Sequence, residues 1–334
     1  MEEIAPERRR DADRPRSYAV IGTGAVGGLY GARLARAGHP VHFLAHSDYE
    51  HIRRHGLRVD SVDGNFRLRQ VAVYRRAADM PRCDVVLITL KATANAILPA
   101  VLPHVTRPDG VVILIQNGLG AEETVARIVQ PAAVLGGLSF LCCEKEGPGH
   151  IRHLDYGRLT IAPYVRGGRA GLVSAAMRRI AADFERAGTL VQLLGDLVLA
   201  RWKKLVWNVP FNGLGVVLDA STRDLLRDPA VRGLARDLMD EVVRGAAAQG
   251  RHIPRSFVAR MMRDTERMTP YLTSMKLDFD RGRTMEVDAI YGAPLRAAAK
   301  AGCDLPRMAL LHALLTFLNP RPVKAICTKR NLVE

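Results

Sequence analysis

A lysine and two asparagines recur every four residues in the segment 201–212, at Lys204, Asn208 and Asn212. On a helix, positions i, i+4 and i+8 lie on one face, so these three side chains point the same way. We call these three residues the ladder. The residues around them are apolar, which predicts a largely buried helix: Trp202, Leu205, Val206, Trp207, Val209 and Phe211. Because a buried polar group without a partner is costly, we expect a bound polar ligand along this face. The alternative is a helix that hydrogen-bonds a neighbouring loop.

A glycine-rich motif is the second candidate for ligand binding, because it follows an apolar strand pattern and opens a helical one. It comprises Gly22, Thr23, Gly24, Ala25, Val26 and Gly27. Gly22 permits a tight turn, Gly24 lets a pyrophosphate approach the backbone, and Gly27 lets helix and strand pack closely. The free N–H groups at the helix start then face the phosphates. In this context the motif predicts dinucleotide binding; the alternative is a strand–turn–helix without a ligand.

The end of the second predicted strand indicates which dinucleotide is bound. Enzymes that use NAD usually place an acidic residue there to hold the ribose 2′-hydroxyl. This chain has His46 and Ser47 instead, with no acid at the strand end itself. These two side chains can hydrogen-bond a 2′-phosphate, helped by Arg53 or Arg54, which favours NADP. The alternative is that they cap the following helix at 48–55 and touch no cofactor.

Apolar runs and helical patterns alternate in the first half of the chain, whereas the second half is helical. Strands are predicted at 17–21, 41–45, 84–89, 111–115, 133–141, 150–154, 158–162 and 189–194, with a β-ribbon within 57–74. Helices are predicted at 24–37, 48–55, 94–102, 172–187, 196–218, 228–249, 255–262, 286–301 and 306–318. Continuous apolar strands that alternate with helices indicate a parallel sheet covered on both faces.

This organisation predicts two domains. We expect an α/β Rossmann domain over residues 17–195 and an all-α domain over residues 196–320. Residues 1–16 are predicted to be a disordered tail, and residues 321–334 a C-terminal tail. The helical stretch from Met308 to Leu318 fits either the core or the face of a homodimer.

The bulk composition excludes several classes of protein. The chain has 334 residues, of which 48% are hydrophobic and 25% charged, as in ordinary globular proteins. No apolar run approaches the roughly 20 residues that span a bilayer. Residues 1–16 lack the apolar core of a signal peptide, and the five cysteines form no CxxC pair, so we expect a cytoplasmic protein with reduced thiols.

The net charge of +15 is spread over the chain, which favours anionic substrates and a phosphorylated cofactor; the alternative is the ordinary charge of a solvated surface or of a basic proteome. We expect no nucleic-acid binding, because aromatic residues are scarce and no such motif occurs. We expect no metal site either, because His150 and His153 lack further ligands at zinc spacing.

Several motifs, taken in their order and spacing, resemble the ketopantoate reductase family, also called 2-dehydropantoate 2-reductases. They are the glycine motif at 22–28, Leu90-Lys91-Ala92, Gln116-Asn117-Gly118, Trp202 followed by the ladder, and Ser274 followed twelve residues later by Glu286. The resemblance covers roughly residues 17–320, nearly the whole chain.

The resemblance implies a Rossmann domain and a helical domain like that of 6-phosphogluconate dehydrogenase, with the active site in the cleft between them. It also implies reduction of ketopantoate to pantoate with NADPH, a step of pantothenate biosynthesis. Lys204 would be the general acid and Glu286 would position substrate and cofactor. The substrate would be held by Asn208, Asn212 and Ser274 together with Lys204. The cofactor would be contacted by Lys91, Asn117 and the backbone around Cys142.

The chemistry of the residues agrees with these implied roles. Hydride attack on a ketone builds negative charge on its oxygen, which a nearby ammonium stabilises and protonates. Partial burial brings a lysine pKa towards neutrality, which suits Lys204. Glu286 can orient that ammonium, although an ordinary salt bridge to Arg283 or a helix N-terminal charge is the competing interpretation. Lys203 is turned about 100° around the helix and should reach solvent instead.

Two departures from the family pattern leave alternatives open. His46 stands where relatives often carry an arginine, which bears on the choice between NADPH and NADH. Pro210 removes one helix hydrogen bond inside the ladder and would displace Asn212. The alternatives to ketopantoate reduction are a reductase of another small 2-keto acid and a non-catalytic, NADP-binding sensor.

Overall fold

The computed structural model describes residues 14–129, 132–268 and 272–319. The tails predicted at the two ends lie outside these ranges, except for residues 14–16. Of these, Arg14 pairs with Asp84 at 3.0 Å, and Arg16 pairs with the fully buried Asp183 at 2.6 Å. These ion pairs tie the segment before the first strand to the folded domain.

Ten strands form a single sheet within the described ranges. They are β1 (Tyr18–Ile21), β2 (Val41–Leu44), β3 (Leu57–Ser61), β4 (Phe66–Leu68), β5 (Ala72–Tyr74), β6 (Cys83–Ile88), β7 (Thr106–Leu114), β8 (Ala133–Gly147), β9 (His150–Pro163) and β10 (Val191–Leu193). Their order is β4-β3-β9-β8-β7-β6-β1-β2-β5, and β10 also pairs with β9.

The central strands of this sheet run parallel, as their continuous apolar runs predict. Along β1, Tyr18 and Val20 face one apolar cluster, and Ala19 and Ile21 face another on the opposite side of the sheet. β8 and β9 are antiparallel, and most of β8 continues past the carboxyl end of β7. This long hairpin therefore stands beside the edge where the parallel strands end.

The helices of the first domain cover the two faces of the sheet. They are α1 (Ala25–Arg36), α2 (Tyr49–His55), α3 (Leu98–Val105), α4 (Ala121–Ile128) and α5 (Ala175–Arg186). The helix predicted at 94–102 is instead a 3₁₀ turn, Ala92–Ile97, followed by α3. Pro99 lies near the start of α3, where its fixed φ and missing N–H are tolerated.

The second domain is helical. It contains α6 (Leu197–Val217), α7 (Thr222–Arg227), α8 (Pro229–Ala248), α9 (Arg255–Arg267), α10 (Ser274–Asp280), a π-helical turn (Asp288–Gly292), α11 (Ala293–Lys300) and α12 (Pro306–Leu318). The sequence prediction missed α4, α7 and α10, although the capping box of Ser221 and Asp224 is a recognisable start signal for α7. The predicted boundary near residue 195 falls between β10 and α6.

Helix α6 is the centre of this second domain. The carboxylate of Asp196 accepts a hydrogen bond from the N–H of Leu199 at 2.9 Å and so caps the helix. The apolar face of α6 packs against α8, with Trp202 and Phe211 fully buried. α6 continues through Pro210, and the Tyr291 hydroxyl donates to the carbonyl of Val209 at 2.8 Å. Across the described ranges, none of the helices is long and apolar enough to span a membrane.

Candidate active site

A cleft of about 1450 Å³ lies between the carboxyl ends of the parallel strands and the helical domain. Most of the site residues predicted from the sequence line it: Gly22, Gly24, Ala25, Val26, Lys91, Asn117, Cys142, Lys204, Asn208, Asn212, Ser274 and Glu286. Thr23, Gly27 and His46 do not line it. Residues from both domains therefore meet at one cavity, at the sheet edge where open α/β folds bind ligands.

The three glycines of the motif differ in what a side chain at each position would meet. Gly22 has φ +104°, and a Cβ there would lie 2.8 Å from the N atom of Leu90. A Cβ on Gly27 would lie 2.3 Å from the carbonyl oxygen of Gly22, so this glycine is needed for helix–strand packing. A Cβ on Gly24 would meet no atom within 4 Å. The protein's own packing does not require Gly24, and the open space above it leaves room for a ligand.

The start of α1 fits a dinucleotide pyrophosphate. Gly24 is the N-cap residue and no side chain caps the helix, which also has no acid in its first turn. The first N–H groups of a helix lack intrahelical partners and carry the positive end of its dipole. They lie on the cleft with Gly24, Ala25 and Val26, which suits an anionic group. Thr23 turns inward instead, where its hydroxyl donates to the carbonyl of Leu44 at 3.1 Å.

His46 is exposed at the end of β2, outside the cleft. Ser47 does not cap the following helix, the alternative considered from the sequence, because its hydroxyl donates to the carboxylate of Asp48 at 3.0 Å. Asp48 is buried, and its carboxylate accepts a hydrogen bond from the ammonium of Lys145 at 2.6 Å. A residue that the sequence analysis missed, Arg75, follows the neighbouring strand β5 and lies 5.3 Å above the ring of Tyr49. The ends of the paired strands β2 and β5 are thus followed by an exposed imidazole and an exposed guanidinium.

Lys204 is half-buried in the wall of the cleft, and its ammonium donates to the carbonyl of Ser139 in β8 at 2.7 Å. Burial lowers the pKa of Lys204 to about 7. The nearby guanidinium of Arg201 acts in the same direction, and Glu286 opposes it. A lysine with this pKa exchanges its proton readily near neutrality, which is the property a general acid needs.

Arg201 fixes the helix that carries Lys204. Its guanidinium is buried and forms an ion pair with the buried Glu122, where Nε donates to the carboxylate at 3.0 Å. It also donates to the carbonyls of Gln116 and, at 3.1 Å, Leu114. These contacts anchor α6 to the end of β7. Sequence analysis missed this residue, although a cation inside an apolar helix is itself a sign that a buried partner exists.

Glu286 is buried and joins the two domains. Its carboxylate accepts a hydrogen bond from the N–H of Ala92 at 2.8 Å and another from the side chain of Asn117 at 3.2 Å. Asn117 in turn accepts from the amide of Asn208 at 3.4 Å. Glu286 therefore connects the segments that follow β6 and β7, and Asn117 links them to the ladder of α6.

Lys91 occupies the same network. Its ammonium pairs with Asp278 at 2.6 Å and lies 3.9 Å from Glu286. Arg283, the competing partner expected for Glu286, pairs with Asp278 at 3.0 Å instead. Asp278 was not found from the sequence, because nothing in its local context distinguishes it from an exposed acid. Glu286 is thereby left facing the cleft amides rather than an arginine.

The remaining substrate candidates also face the cleft. Asn212 is only 2% exposed, and its Oδ1 atom has no hydrogen-bond partner. A buried polar atom without a partner is rare, so this oxygen is a candidate acceptor for a ligand hydroxyl. Ser274 is free to do the same, because Thr273 and not Ser274 caps α10. The thiol of Cys142 is neutral, since burial raises its pKa to about 12.

Positive charge dominates the cleft. Its basic residues are Arg33, Lys91, Lys145, Arg158, Lys203, Lys204, Arg260, Arg267, Arg281 and Arg283, and its acidic residues are Asp63, Glu144, Asp155, Asp264, Asp278 and Glu286. A cavity with this balance attracts anionic ligands.

One group of side chains outside the cleft has the spacing of metal ligands: Asp60, Glu146 and His150. Arginines already pair with both carboxylates, Arg58 with Asp60 at 2.9 Å and Arg152 with Glu146 at 2.7 Å. His153, the other histidine considered from the sequence, is buried beside Arg33 instead.

Two family descriptions match the two parts of the chain. Residues 18–166 match the family described as "Ketopantoate reductase PanE/ApbA", and residues 196–319 match "Ketopantoate reductase PanE/ApbA C terminal". Together they cover well over half of the chain, and the second match begins directly before α6.

Individual proteins give the same result. The chain is 49% identical over 306 residues to a 2-dehydropantoate 2-reductase of Nostoc, covering 92% of this chain and 96% of that protein. Its structure is similar to a 2-dehydropantoate 2-reductase of Geobacter metallireducens, with a TM-score of 0.86, 37% identity, and coverage of 90% of this chain and 99% of that one. A corresponding enzyme of Methylococcus capsulatus gives a TM-score of 0.82 at 35% identity, covering 93% and 99%.

Proposed function

The chain belongs to the ketopantoate reductase family, and we propose from this that it reduces 2-dehydropantoate to pantoate with NADPH, a step of pantothenate biosynthesis, with Lys204 as the general acid. One observation carries the assignment of the acid. The ammonium of Lys204, with a pKa of about 7, opens into the same cleft as the uncapped start of α1.

Lys204 acts on the carbonyl oxygen of the substrate. When bound, NADPH supplies a hydride to the carbonyl carbon. The protonated amine stabilises the charge that develops on the oxygen and then transfers its proton to it. Because its pKa lies near neutrality, Lys204 both gives up this proton and regains one from solvent at physiological pH. The carbonyl of Ser139, which accepts from the ammonium at 2.7 Å, holds the amine on the cleft wall.

The cofactor is held at three places in this proposal. Its pyrophosphate would be held by the N–H groups of the glycine motif, as the open space over Gly24 allows. Its nicotinamide side would be held by Lys91, Asn117 and the backbone at Cys142, with Glu286 positioning cofactor and substrate. Its 2′-phosphate would be held at the end of β2 by His46 and Ser47, together with Arg75. A guanidinium that follows β5 would thus serve in place of the arginine that the resemblance predicts after β2.

The substrate is held by the ladder of α6 and by α10. The Oδ1 atom of Asn212 accepts the hydroxyl hydrogen of the substrate, which satisfies the buried oxygen. Asn208 and Ser274 donate to the substrate carboxylate. Amides and hydroxyls suit these tasks because they bind polar groups without adding a charge that would compete with Lys204.

NADPH oxidation with ketopantoate tests this function directly. The purified protein should oxidise NADPH at 340 nm only when ketopantoate is added, and NADH should give a lower kcat/KM. A higher kcat/KM with NADH would contradict the proposed 2′-phosphate site. If NADPH binds but no short 2-keto acid is reduced, the protein is a sensor and the catalytic role of Lys204 is wrong.

We also propose that the chain forms a homodimer. Helix α12 buries Met308 and Leu311 in the core but leaves Leu310 and Phe317 exposed on its outer face, at 64% and 89%. An exposed apolar stripe of this kind is typical of an interface. Light scattering after size exclusion should give twice the monomer mass, and Phe317→Glu should reduce it to the monomer mass.

A further inference from the structure

Five aromatic or apolar side chains line the cleft, and we call this part of its wall the annex. They are Phe140, Tyr156, Trp207, Phe257 and Met261. These side chains have no role in the reaction proposed above. Because they line the same cleft as Lys204, the annex is open to a substrate whose carbonyl lies at that amine.

One wall of the annex is the hairpin of β8 and β9. Ser139, whose carbonyl holds the Lys204 ammonium, directly precedes Phe140. The rings of Phe140 and Tyr156 have centroids 6.2 Å apart and planes at 86°, an edge-to-face pair. Tyr156 remains 46% exposed, so its ring is presented to the cleft rather than buried in the sheet.

Tyr156 has an unusual backbone conformation. Its φ is 61°, and the only other non-glycine residue with positive φ in the described ranges is Asp219. Aspartate and asparagine tolerate this left-handed region, but for a bulky residue it is strained. Glycine would adopt it freely, and Gly157 follows directly with φ 133°. A tyrosine at this position therefore places a ring in the cleft at a conformational cost.

A buried histidine holds this conformation. Nε2 of His153 donates to the carbonyl of Tyr156 at 2.9 Å and lies 3.2 Å from that of Asp155. Its Nδ1 accepts from the hydroxyl of Ser61 at 2.8 Å and from Arg33 at 3.2 Å. The strained turn is thus fixed from behind by a network of satisfied polar groups, as strained residues at functional sites usually are.

The other members of the annex come from α6 and α9. The Trp207 indole donates to the hydroxyl of Thr265 at 3.0 Å, and that hydroxyl donates to the carbonyl of Met261 at 2.7 Å. These bonds fix the indole against α9. Phe257 lies under two cations, with Arg260 at 5.0 Å and Lys203 at 5.8 Å from its ring centroid. Lys203 thus lies over this ring on the annex rim.

The arrangement determines which part of a substrate reaches the annex. Asn208 and Asn212 lie one and two turns along α6 from Lys204 and bind polar groups. The annex instead offers aromatic and thioether surfaces. Two of its members are close to Lys204 along the chain or through one contact: Trp207 lies three residues further along α6, and Phe140 follows Ser139, whose carbonyl accepts from the ammonium. A substrate whose carbonyl carbon lies at Lys204 therefore has both polar and apolar side chains available in the same cleft.

We propose that the annex binds the apolar substituent of the substrate, so that the enzyme also reduces 2-oxo acids with an aryl group, and that Tyr156 sets this preference. The inference rests on the proposed function for its chemistry. The carbonyl carbon gains a hydride from NADPH, the oxygen gains the proton of Lys204, and the products are NADP⁺ and a 2-hydroxy acid. The aryl ring packs between Tyr156 and Trp207.

Phenylglyoxylate, pyruvate and ketopantoate are the probes, measured by NADPH oxidation. The kcat/KM for phenylglyoxylate should exceed that for pyruvate by at least about tenfold, since only the former fills the annex. In Tyr156→Ala, the ratio of kcat/KM for phenylglyoxylate to that for ketopantoate should fall about tenfold. Leu154→Ala is the matched control, because Leu154 is an exposed residue of the same strand that does not line the cleft. Its ratio should match the wild type.

Two further measurements separate binding from folding. Tyr156→Gly relieves the left-handed backbone, so it should melt no lower than the wild type while showing the same fall in ratio. The chain has two tryptophans, and Trp202 is buried in the core. Phenylglyoxylate added with NADP⁺, which prevents turnover, should therefore change the emission of Trp207.

The outcomes distinguish this inference from the proposed function. Reduction of ketopantoate without reduction of phenylglyoxylate overturns the annex but not the function. Reduction of phenylglyoxylate alone supports the annex and overturns ketopantoate as substrate. An unchanged ratio in both Tyr156 variants overturns the role of Tyr156, and absence of turnover with all three acids overturns both ideas.

Discussion

The glycine turn of β1–α1 and the ladder of α6 face each other across one cleft, but they are built differently. The turn is six consecutive residues, and its closest internal approach is that of Gly27 to the carbonyl of Gly22. The ladder depends on partners far away in the chain, because Lys204 reaches Ser139 and Asn208 reaches Asn117. The proposed pyrophosphate site is therefore encoded largely within one segment, whereas the proposed proton donor depends on the environment that folding creates.

The difference shows most clearly in the charge state. A lysine of this type has an ordinary pKa near 10.5, and the cleft lowers that of Lys204 to about 7. Burial causes this lowering of the pKa, and the buried Arg201, one turn away on α6, adds to it. No comparable property of the glycine turn depends on the second domain.

The largest effect should come from removing the acid. Lys204→Met keeps much of the side-chain volume but has no proton to give, so kcat with ketopantoate should fall by about 10²–10⁴-fold. The Kd for NADPH, measured by fluorescence titration, should change little, because the turn is on the other domain. Lys300→Met, at an exposed lysine of α11, is the control and should retain full activity. A large loss of NADPH affinity in Lys204→Met would mean that the two regions are not separable.

The pH dependence should be next in size. Reduction needs the protonated amine, and the pKa of Lys204 is about 7, so kcat/KM should be constant below pH 7 and fall about tenfold per unit above it. The Kd for NADPH should not show this pH dependence. Steady-state rates from pH 6 to pH 9 measure this. If kcat/KM begins to fall only above pH 9, the cleft does not lower the pKa of this lysine.

The two glycines at the helix start should separate binding from packing. Gly24→Ala meets no protein atom, so its melting temperature should match the wild type while the Kd for NADPH rises about tenfold. Gly27→Ala places a Cβ against Gly22 and Thr89, so it should lower the free energy of unfolding by about 1–3 kcal/mol. Thermal melts without cofactor and NADPH titrations test both. Equal effects of the two substitutions would contradict this division.

The smallest effect should be a shift in the pH at which kcat/KM begins to fall, and we call this falling part of the profile the limb. Glu286 raises the pKa of Lys204, so Glu286→Gln should lower it and move the limb of kcat/KM towards acid by a fraction of a pH unit. Glu286→Asp keeps the charge and is the matched comparison, which should leave the limb in place even if kcat falls. The same profile in all three proteins would mean that Glu286 positions groups without affecting the acid.

The sequence predicted the elements with strong periodicity well. α6 was expected at 196–218 and spans Leu197–Val217, and the strands of the parallel sheet were placed correctly. The alternative role of Ser47 as the cap of α2 was wrong, because its hydroxyl donates to Asp48. Asp48 in turn pairs with Lys145 of β8, a contact between residues almost a hundred positions apart. The family, the fold, the reaction and the cofactor expected from the motifs are confirmed, whereas the roles of individual site residues remain predictions.

The sequence by itself determined the glycine turn, the periodic face of α6 and the residue types available for chemistry, because these depend on neighbours within a few positions. Only the tertiary structure decided which of those residues meet. It placed Glu286 on Asn117 rather than Arg283, paired Arg201 with Glu122, and brought Tyr156 to the cleft. The pKa of Lys204 belongs to the same category, since desolvation is set by all the atoms that fold around an amine and not by its position in the chain.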